Sequence, residues 1–323
     1  MNFRYMIKLM ISILTLLTII SCASININGS IKKYRIPEGG IVLSILSEQS
    51  EIRIRNPDGS YTIATPPVIA LYNAYLSNQR SKALYPVLSD LNGFDFFPQM
   101  SEKINESLSN IEWLKINENY SSRKLIHNTL PIGTHRLLFD IKYEFTPNMD
   151  SIEVTVFVTF KKVTKVKKNL TKKVRKYSSI YENRYKYISP LADPIGIIRN
   201  KKSAKNNALK IILGEDKKTY SPNDKLKLMS KYWSFNNSIK VKEHLTEAIN
   251  KAKAMIFHDL SFKKKLTDSE YYDSLKNFNQ FYEEIDRSNE RLFLESNSWF
   301  KKGSLCSIPL GVETYRCTDN INY

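Results

Sequence analysis

Leu137-Leu138-Phe139-Asp140-Ile141-Lys142-Tyr143-Glu144-Phe145 is the first half of the stretch that decides the fold, and Ile152-Glu153-Val154-Thr155-Val156-Phe157-Val158-Thr159-Phe160 is the second. Leu137, Phe139, Ile141, Tyr143 and Phe145 recur at every second residue, opposite Leu138, Asp140, Lys142 and Glu144. Ile152, Val154, Val156, Val158 and Phe160 do the same against Glu153, Thr155 and Thr159. A period of two is the strand repeat, so each segment has one apolar and one wetter face. The turn residues Pro147-Asn148-Met149-Asp150 between them predict an antiparallel hairpin with its apolar face on helices.

On the C-terminal side, Leu170, Lys172, Val174, Lys176, Ser178 and Ile180 offer a third strand over residues 170–181. On the N-terminal side, residues 31–65 read as β. Ile41-Val42-Leu43-Ser44-Ile45-Leu46 is a buried run, and Ile52 and Ile54 alternate with Glu51, Arg53 and Arg55. Asn56-Pro57-Asp58-Gly59 then turns into Tyr61-Thr62-Ile63. A helix is expected to begin at Thr65-Pro66-Pro67, since Pro is tolerated in a first turn, with Val68, Leu71, Tyr72, Tyr75 and Leu76 at helical spacing. A second helix places Met100, Ile104, Leu108 and Ile111 on one stripe.

Pro190, Pro194 and the polar residues 200–207 predict a linker or long loop over 191–221. Residues 222–323 then read as mainly helical. Leu245, Ala248, Ile249, Ala252, Met255 and Ile256 form one apolar face, and Thr267-Asp268-Ser269-Glu270 is a capping box opening a long helix. That helix has a stripe of Tyr271, Leu275, Phe278, Tyr282, Ile285, Leu292 and Phe293. The expected fold class is α+β: antiparallel hairpins of a 31–190 domain packed on helices, followed by the helical region.

The chain has 323 residues, 49 Lys+Arg against 32 Asp+Glu, a formal charge of +17, 42% hydrophobic residues and 3 Cys. These figures exclude a disordered chain and a small disulfide scaffold. Lys dominates Arg, and Asn, Ile, Ser and Tyr are abundant, as AT-rich coding tends to produce, so part of the basicity reads as diffuse surface charge. Phosphate reading by bidentate contact leans on Arg, which places nucleic acid low among the partners.

At the N-terminus, Arg4 and Lys8 precede the apolar residues 9–20. Twelve helical residues span roughly 18 Å, short of a ~30 Å hydrocarbon core, so residues 1–21 read as an export signal. Ile19-Ile20-Ser21-Cys22 resembles the lipobox of bacterial lipoproteins. The resemblance implies a lipid thioether on Cys22, cleavage before it and acylation, including palmitate, of the new amine. The alternative is an ordinary signal peptide that merely ends beside Cys22. Residues 22–30 form a short tether, and losing Arg4 and Lys8 lowers the charge from +17 to +15. The Lys/Asn/Ile-rich composition also resembles that of spirochaetal lipoproteins. The order of helix, β-hairpin and later helix resembles periplasmic lipoproteins that assist outer-membrane assembly or secretion.

Cys306 and Cys317 are separated by ten residues. In an exported chain such a pair reads as a disulfide, with two free thiols the alternative. No metal site is expected, since two ligands without a nearby His fall short of four. No cofactor is expected either: no P-loop, G-x-G-x-x-G or EF-hand loop is present.

One run stands out. Lys161, Lys162, Lys165, Lys167, Lys168, Lys172, Lys173, Arg175 and Lys176 fall within seventeen residues without an acid, and Tyr177, Tyr181, Tyr185 and Tyr187 follow. This is an anion-binding candidate for phospholipid head groups, glycan phosphates or nucleic acid. The competing reading is a solvated strand edge whose Lys residues block aggregation. Residues 266–297 carry the opposite sign, with eight acids and three bases, and read as a solvated face or as a partner for the basic run.

The histidines, His127, His135, His244 and His258, form no H-E-x-x-H. His258-Asp259 could orient a base, yet no G-x-S-x-G accompanies it. Asp140 with Glu144, and Glu283 with Glu284, are candidate acid pairs for glycoside chemistry. No catalytic residue is assigned. The expected function is a non-enzymatic binding or assembly role in the bacterial envelope. The body is held to the membrane by the N-terminal lipid, on the outer membrane facing the periplasm, with an envelope protein or anionic polymer as partner. The alternatives are a surface-displayed adhesin using the basic run for anionic host ligands, and an envelope hydrolase.

Overall fold

The computed structural model describes residues 40–55, 67–111, 113–123, 130–168, 173–192, 222–261, 291–298 and 301–309. Strands β4 (His135–Phe145) and β5 (Ile152–Lys168) pair antiparallel, with Leu137 opposite Phe160 and Phe145 opposite Ile152. Each residue of the expected apolar face is buried in both strands. Thr146 holds the reversal between them: its hydroxyl oxygen accepts from the backbone N–H groups of Asp150 and Ser151, each at 3.1 Å. The carbonyl of Met149 accepts from Trp233 Nε1 at 2.6 Å, which ties the turn to a helix.

Strand β6 (Lys173–Ile188) pairs antiparallel with β5. It is the third strand expected, and it runs past residue 181 because Tyr181, Tyr185 and Tyr187 carry buried aromatic positions onward. Strand β1 (Ile41–Leu46) lies between β4 and β3 (Ile116–Ser122), parallel to both. All six of its residues are buried, the pattern of a strand covered on both faces. Gly40 leads into β1 at a φ of +68°, and a Cβ there would collide with the side chain of Asn117. Strand β2 (Arg53–Ile54) is two residues long and pairs parallel with the end of β4. The turn and second strand expected after it, residues 56–63, lie outside the described residues.

Helix α1 (Pro67–Asp90) starts at the expected proline. Helix α2 (Phe96–Ser109) buries Met100, Ile104 and Leu108 completely, with Ile111 buried just beyond its end. Helix α3 (Pro222–Ser261) consists of two helical segments broken at Phe235–Ser238, where Asn236, Asn237 and Ser238 have φ of 51°, 56° and 54°. Ser238 Oγ donates to Asp90 Oδ2 at 3.0 Å, fastening the break to the end of α1. Beyond it, Leu245, Ala248, Ile249, Ala252, Met255 and Ile256 are all buried, as their spacing requires.

The C-terminal region departs from expectation. Strands β7 (Arg291–Ser298) and β8 (Lys301–Pro309) pair antiparallel, and β8 lies parallel to β6 at Arg184–Tyr187. The long helix predicted to reach residue 297 therefore does not do so, and residues 222–323 are not mainly helical at this end. Leu292 and Phe293 fit a helical stripe, but the alternation Leu292, Leu294 fits a strand equally well. The open edge of β6 supplies the backbone partners that decide between them. The capping box and the stripe up to Ile285 lie outside the described residues.

The result is an α+β fold with one eight-stranded mixed sheet in the order β3-β1-β4-β5-β6-β8-β7, and β2 beside β4. The main apolar cluster joins the sheet to residues of α1, α2 and α3, and a smaller one of Val42, Leu130 and Val163 lies apart from it. Members of the main cluster come from both sides of the expected 191–221 linker, most of which lies outside the described residues.

Candidate functional site

The basic run lies on the β5–β6 pair, and the register shows how. The last β4–β5 partners are His135 and Lys162, with Val163 still bonded to Gly133 and Thr134 through the backbone. β8 meets β6 only at Arg184–Tyr187. Among the described residues, the segments 164–168 and 173–177 therefore pair only with each other, as a two-stranded ribbon beyond the rest of the sheet. Five residues per strand make it ~17 Å long.

Lys165 lies opposite Lys176, Val166 opposite Arg175, Lys167 opposite Val174 and Lys168 opposite Lys173. Directly opposed residues share a face of an antiparallel pair. The apolar alternation that defines β4 and β5 does not continue in the sequence of these segments. Lys161 and Lys162 sit at the base of the ribbon, where Lys161 Nζ is 3.8 Å from Glu182 Oε1 and Lys162 is exposed. Lys172 lies outside the described residues.

The other candidate positions are dispersed. Cys22 and Cys317 lie outside the described residues. Cys306 is buried in β8 and is disulfide-bonded. His127 also lies outside, and so do Glu283 and Glu284. His135 opens β4 with its ring stacked on Phe160 at 5.6 Å. Burial holds it below the ordinary imidazole value, with Lys162 adding to the effect.

Asp140 and Glu144 lie four residues apart on β4, which separates their backbones by ~13 Å. Glycosidase carboxyl pairs stand roughly 5–9.5 Å apart. Burial pushes both carboxyls above their usual range.

His258 and Asp259 end α3 against β6. Asp259 Oδ2 accepts from Asn183 Nδ2 at 2.6 Å, and its Oδ1 is 3.2 Å from His258 Nδ1. Asn183 Nδ2 also donates to the Tyr181 hydroxyl at 3.0 Å, and Tyr181 shares a 2.8 Å hydrogen bond with Tyr185. Burial drives the Tyr181 phenol up, so it stays neutral as part of this network. The network joins helix to sheet, and no Ser or Cys nucleophile takes part in these bonds.

Three features escaped sequence reasoning. On the sheet face opposite the helices, Lys186 is almost fully buried at 2.9 Å from Glu153 Oε2, which Arg55 also meets at 2.5 Å. On the helical side, the Tyr187 hydroxyl donates to Glu247 Oε2 at 2.7 Å, beside His244. The third is a groove of about 620 Å³, lined by Ile52, Tyr85, Phe94, Asp95, Arg123 and Tyr143 among others, at the carboxyl ends of parallel strands β1 and β3. Arg123 at its rim is taken up by both carboxylate oxygens of Asp95 at 2.6 Å. Alternation marks a charge on a strand but not which neighbour will bury it, so none of these had a sequence signal.

No group of three or more His, Cys, Asp or Glu placed to hold a metal occurs among the described residues. No helix among them is long and apolar enough to cross a membrane. Comparison with family models, curated proteins and solved structures returned no match.

Proposed function

We propose that the chain is a lipid-anchored lipoprotein of the bacterial envelope whose role is binding rather than catalysis. The observation that supports it most directly is the β5–β6 pairing, which brings Lys165, Lys167, Lys168, Lys173, Arg175 and Lys176 together on two adjacent strand segments. Charge of one sign on a projecting element raises the local concentration of an anionic partner. Cys22 in the lipobox-like Ile19-Ile20-Ser21-Cys22 supplies the anchor, with several acyl chains at about 0.8 kcal/mol per buried CH₂. The short tether of residues 22–30 keeps the body near the membrane, which favours the periplasmic side of the outer membrane. The disulfide of Cys306, with Cys317 as its proposed partner, suits the same oxidising compartment.

The anchor is tested by growth on labelled palmitate. Wild type is expected to incorporate label and Cys22→Ala to lose it; a variant that stays labelled refutes the site. The ribbon equally favours a second reading, a surface adhesin for anionic host ligands. Proteinase K added to intact cells separates the two, since prompt digestion excludes a periplasmic body.

A further inference from the structure

We infer that the groove at the carboxyl ends of β1 and β3 binds a neutral glycan, with a pyranose ring laid on Tyr85 and its hydroxyls met by Asp95 and Asn92. This surface is separate from the basic run and does not depend on the lipid anchor.

β1 is paired in parallel on both sides, with β3 and with β4, and the groove opens where β1 and β3 end. Ligands of open parallel sheets gather in the crevice outside the carboxyl ends of the strands. The volume of about 620 Å³ falls within the roughly 300–1,000 Å³ of small-molecule sites.

Its polar corner is built before any ligand arrives. Gln49 is 6% exposed and clamps Tyr143: its Oε1 accepts from the Tyr143 N–H at 2.9 Å, and its Nε2 donates to the Tyr143 carbonyl at 3.3 Å. The Gln49 carbonyl in turn accepts from Arg123 Nη1 at 3.2 Å and from the Tyr143 hydroxyl at 3.3 Å. Arg123 Nη2 donates to both oxygens of Asp95 at 2.6 Å, and the guanidinium lies 5.7 Å from the centre of the Phe97 ring. Arg123 therefore fixes the orientation of the half-exposed Asp95 carboxylate. A carboxylate has about four acceptor positions, so Asp95 retains capacity for ligand hydroxyls. Asn92 is exposed in the turn between α1 and α2 and adds an amide that both donates and accepts. That turn is itself fixed, by Gly93 at a φ of +85° and by the Phe94 N–H donating to the Leu91 carbonyl at 2.8 Å.

Tyr85 lines the same groove and is 73% exposed, the most exposed large apolar side chain among the described residues. A pyranose carries C–H groups on its faces and hydroxyls around its edge. An exposed ring covers the first, and fixed carboxylate and amide groups bond to the second. Other occupants fit less well. An anionic ligand has to take Arg123 from Asp95, at the loss of two charge-assisted bonds. An acyl chain covers Ser89, Asn92 and Asp95 without pairing them. A neutral polyhydroxyl ligand leaves the Arg123–Asp95 pair in place and bonds to it.

The test applies the full chain, in a polyoxyethylene detergent whose head group holds no sugar, to a printed array of neutral and acidic oligosaccharides. Calorimetric titration with the best-bound neutral oligosaccharide then compares variants. Wild type is expected to bind at least one neutral oligosaccharide. Tyr85→Ala is expected to weaken that binding roughly twofold to tenfold, the range of an aromatic contact, while Tyr85→Phe retains it. Ser89→Trp, on the exposed end of α1, is expected to abolish binding by filling the groove. Both positions are exposed, so the melting temperatures of the variants should match that of wild type. Failure to bind any neutral oligosaccharide overturns the inference, as does an affinity untouched by Tyr85→Ala or by Ser89→Trp. Binding confined to acidic oligosaccharides overturns the neutral assignment.

Discussion

His135 shows how one residue can make stability depend on pH. Its ring is buried against Phe160, and its Nδ1 finds no hydrogen-bond partner among the described residues, so the neutral form is the one the fold accepts. The unfolded chain takes up a proton near the ordinary imidazole value of about 6.5, and the folded chain only at lower pH. The stability it contributes is therefore full above that value and is lost as pH falls through it. Asp140 and Glu144, raised by burial, act with the opposite sign: their contribution is full at low pH and is lost as pH rises past the ordinary carboxyl values. Replacing His135 by Phe isolates the first effect. Between pH 7.5 and 5.5 the melting temperature of wild type should fall further than that of His135→Phe, and equal slopes would refute the assignment.

At the scale of elements, β5 changes character along its length. Up to Phe160 it carries an apolar face into the core, and beyond Val163 its sequence turns basic while it pairs with β6. The opposed lysines lower the ribbon's local stability, and Lys168→Glu sets an opposite charge across from Lys173. Such a pair contributes roughly 0.2–1 kcal/mol, so the amides of the ribbon should exchange hydrogen about 1.4-fold to fivefold more slowly. Mass-spectrometric hydrogen exchange measures this, and unchanged rates would show that the register carries no repulsion. Elements with a strong period were legible from sequence: the β4–β5 hairpin, the Met100–Ile104–Leu108 stripe of α2 and the apolar face at the end of α3 all stand as their spacing requires. The break at Phe235–Ser238 was not predicted: Asn236 and Asn237 tolerate the left-handed region, but such tolerance alone does not mark a break, and the break is accompanied by the docking of Ser238 on Asp90.

At the scale of the molecule, the described segments nearest the two ends of the chain belong to one sheet. β8 lies on β6, and Cys306 and Ser307 are buried there. Ending the chain at Glu290 removes β7 and β8 and bares the β6 edge at Arg184–Tyr187. The truncated protein should lose roughly 2 kcal/mol or more of stability and associate with concentration. Size-exclusion chromatography and thermal melts check both, and a monomer of wild-type stability would show the C-terminal strands to be dispensable.

The sequence by itself determined the α+β class, the core faces of β4, β5 and α2, and the places where positive charge and cysteine concentrate. These follow from periodicity and composition, which a chain carries before it folds. Only the tertiary structure decided that Arg291–Ser298 is a strand, that Lys186 is buried on Glu153, and that the basic run forms an antiparallel pair of strand segments. Each of those depends on which distant segment supplies a neighbour. The energies that choose the neighbour, backbone pairing at an open edge and charge pairing under burial, exist only once the segments meet.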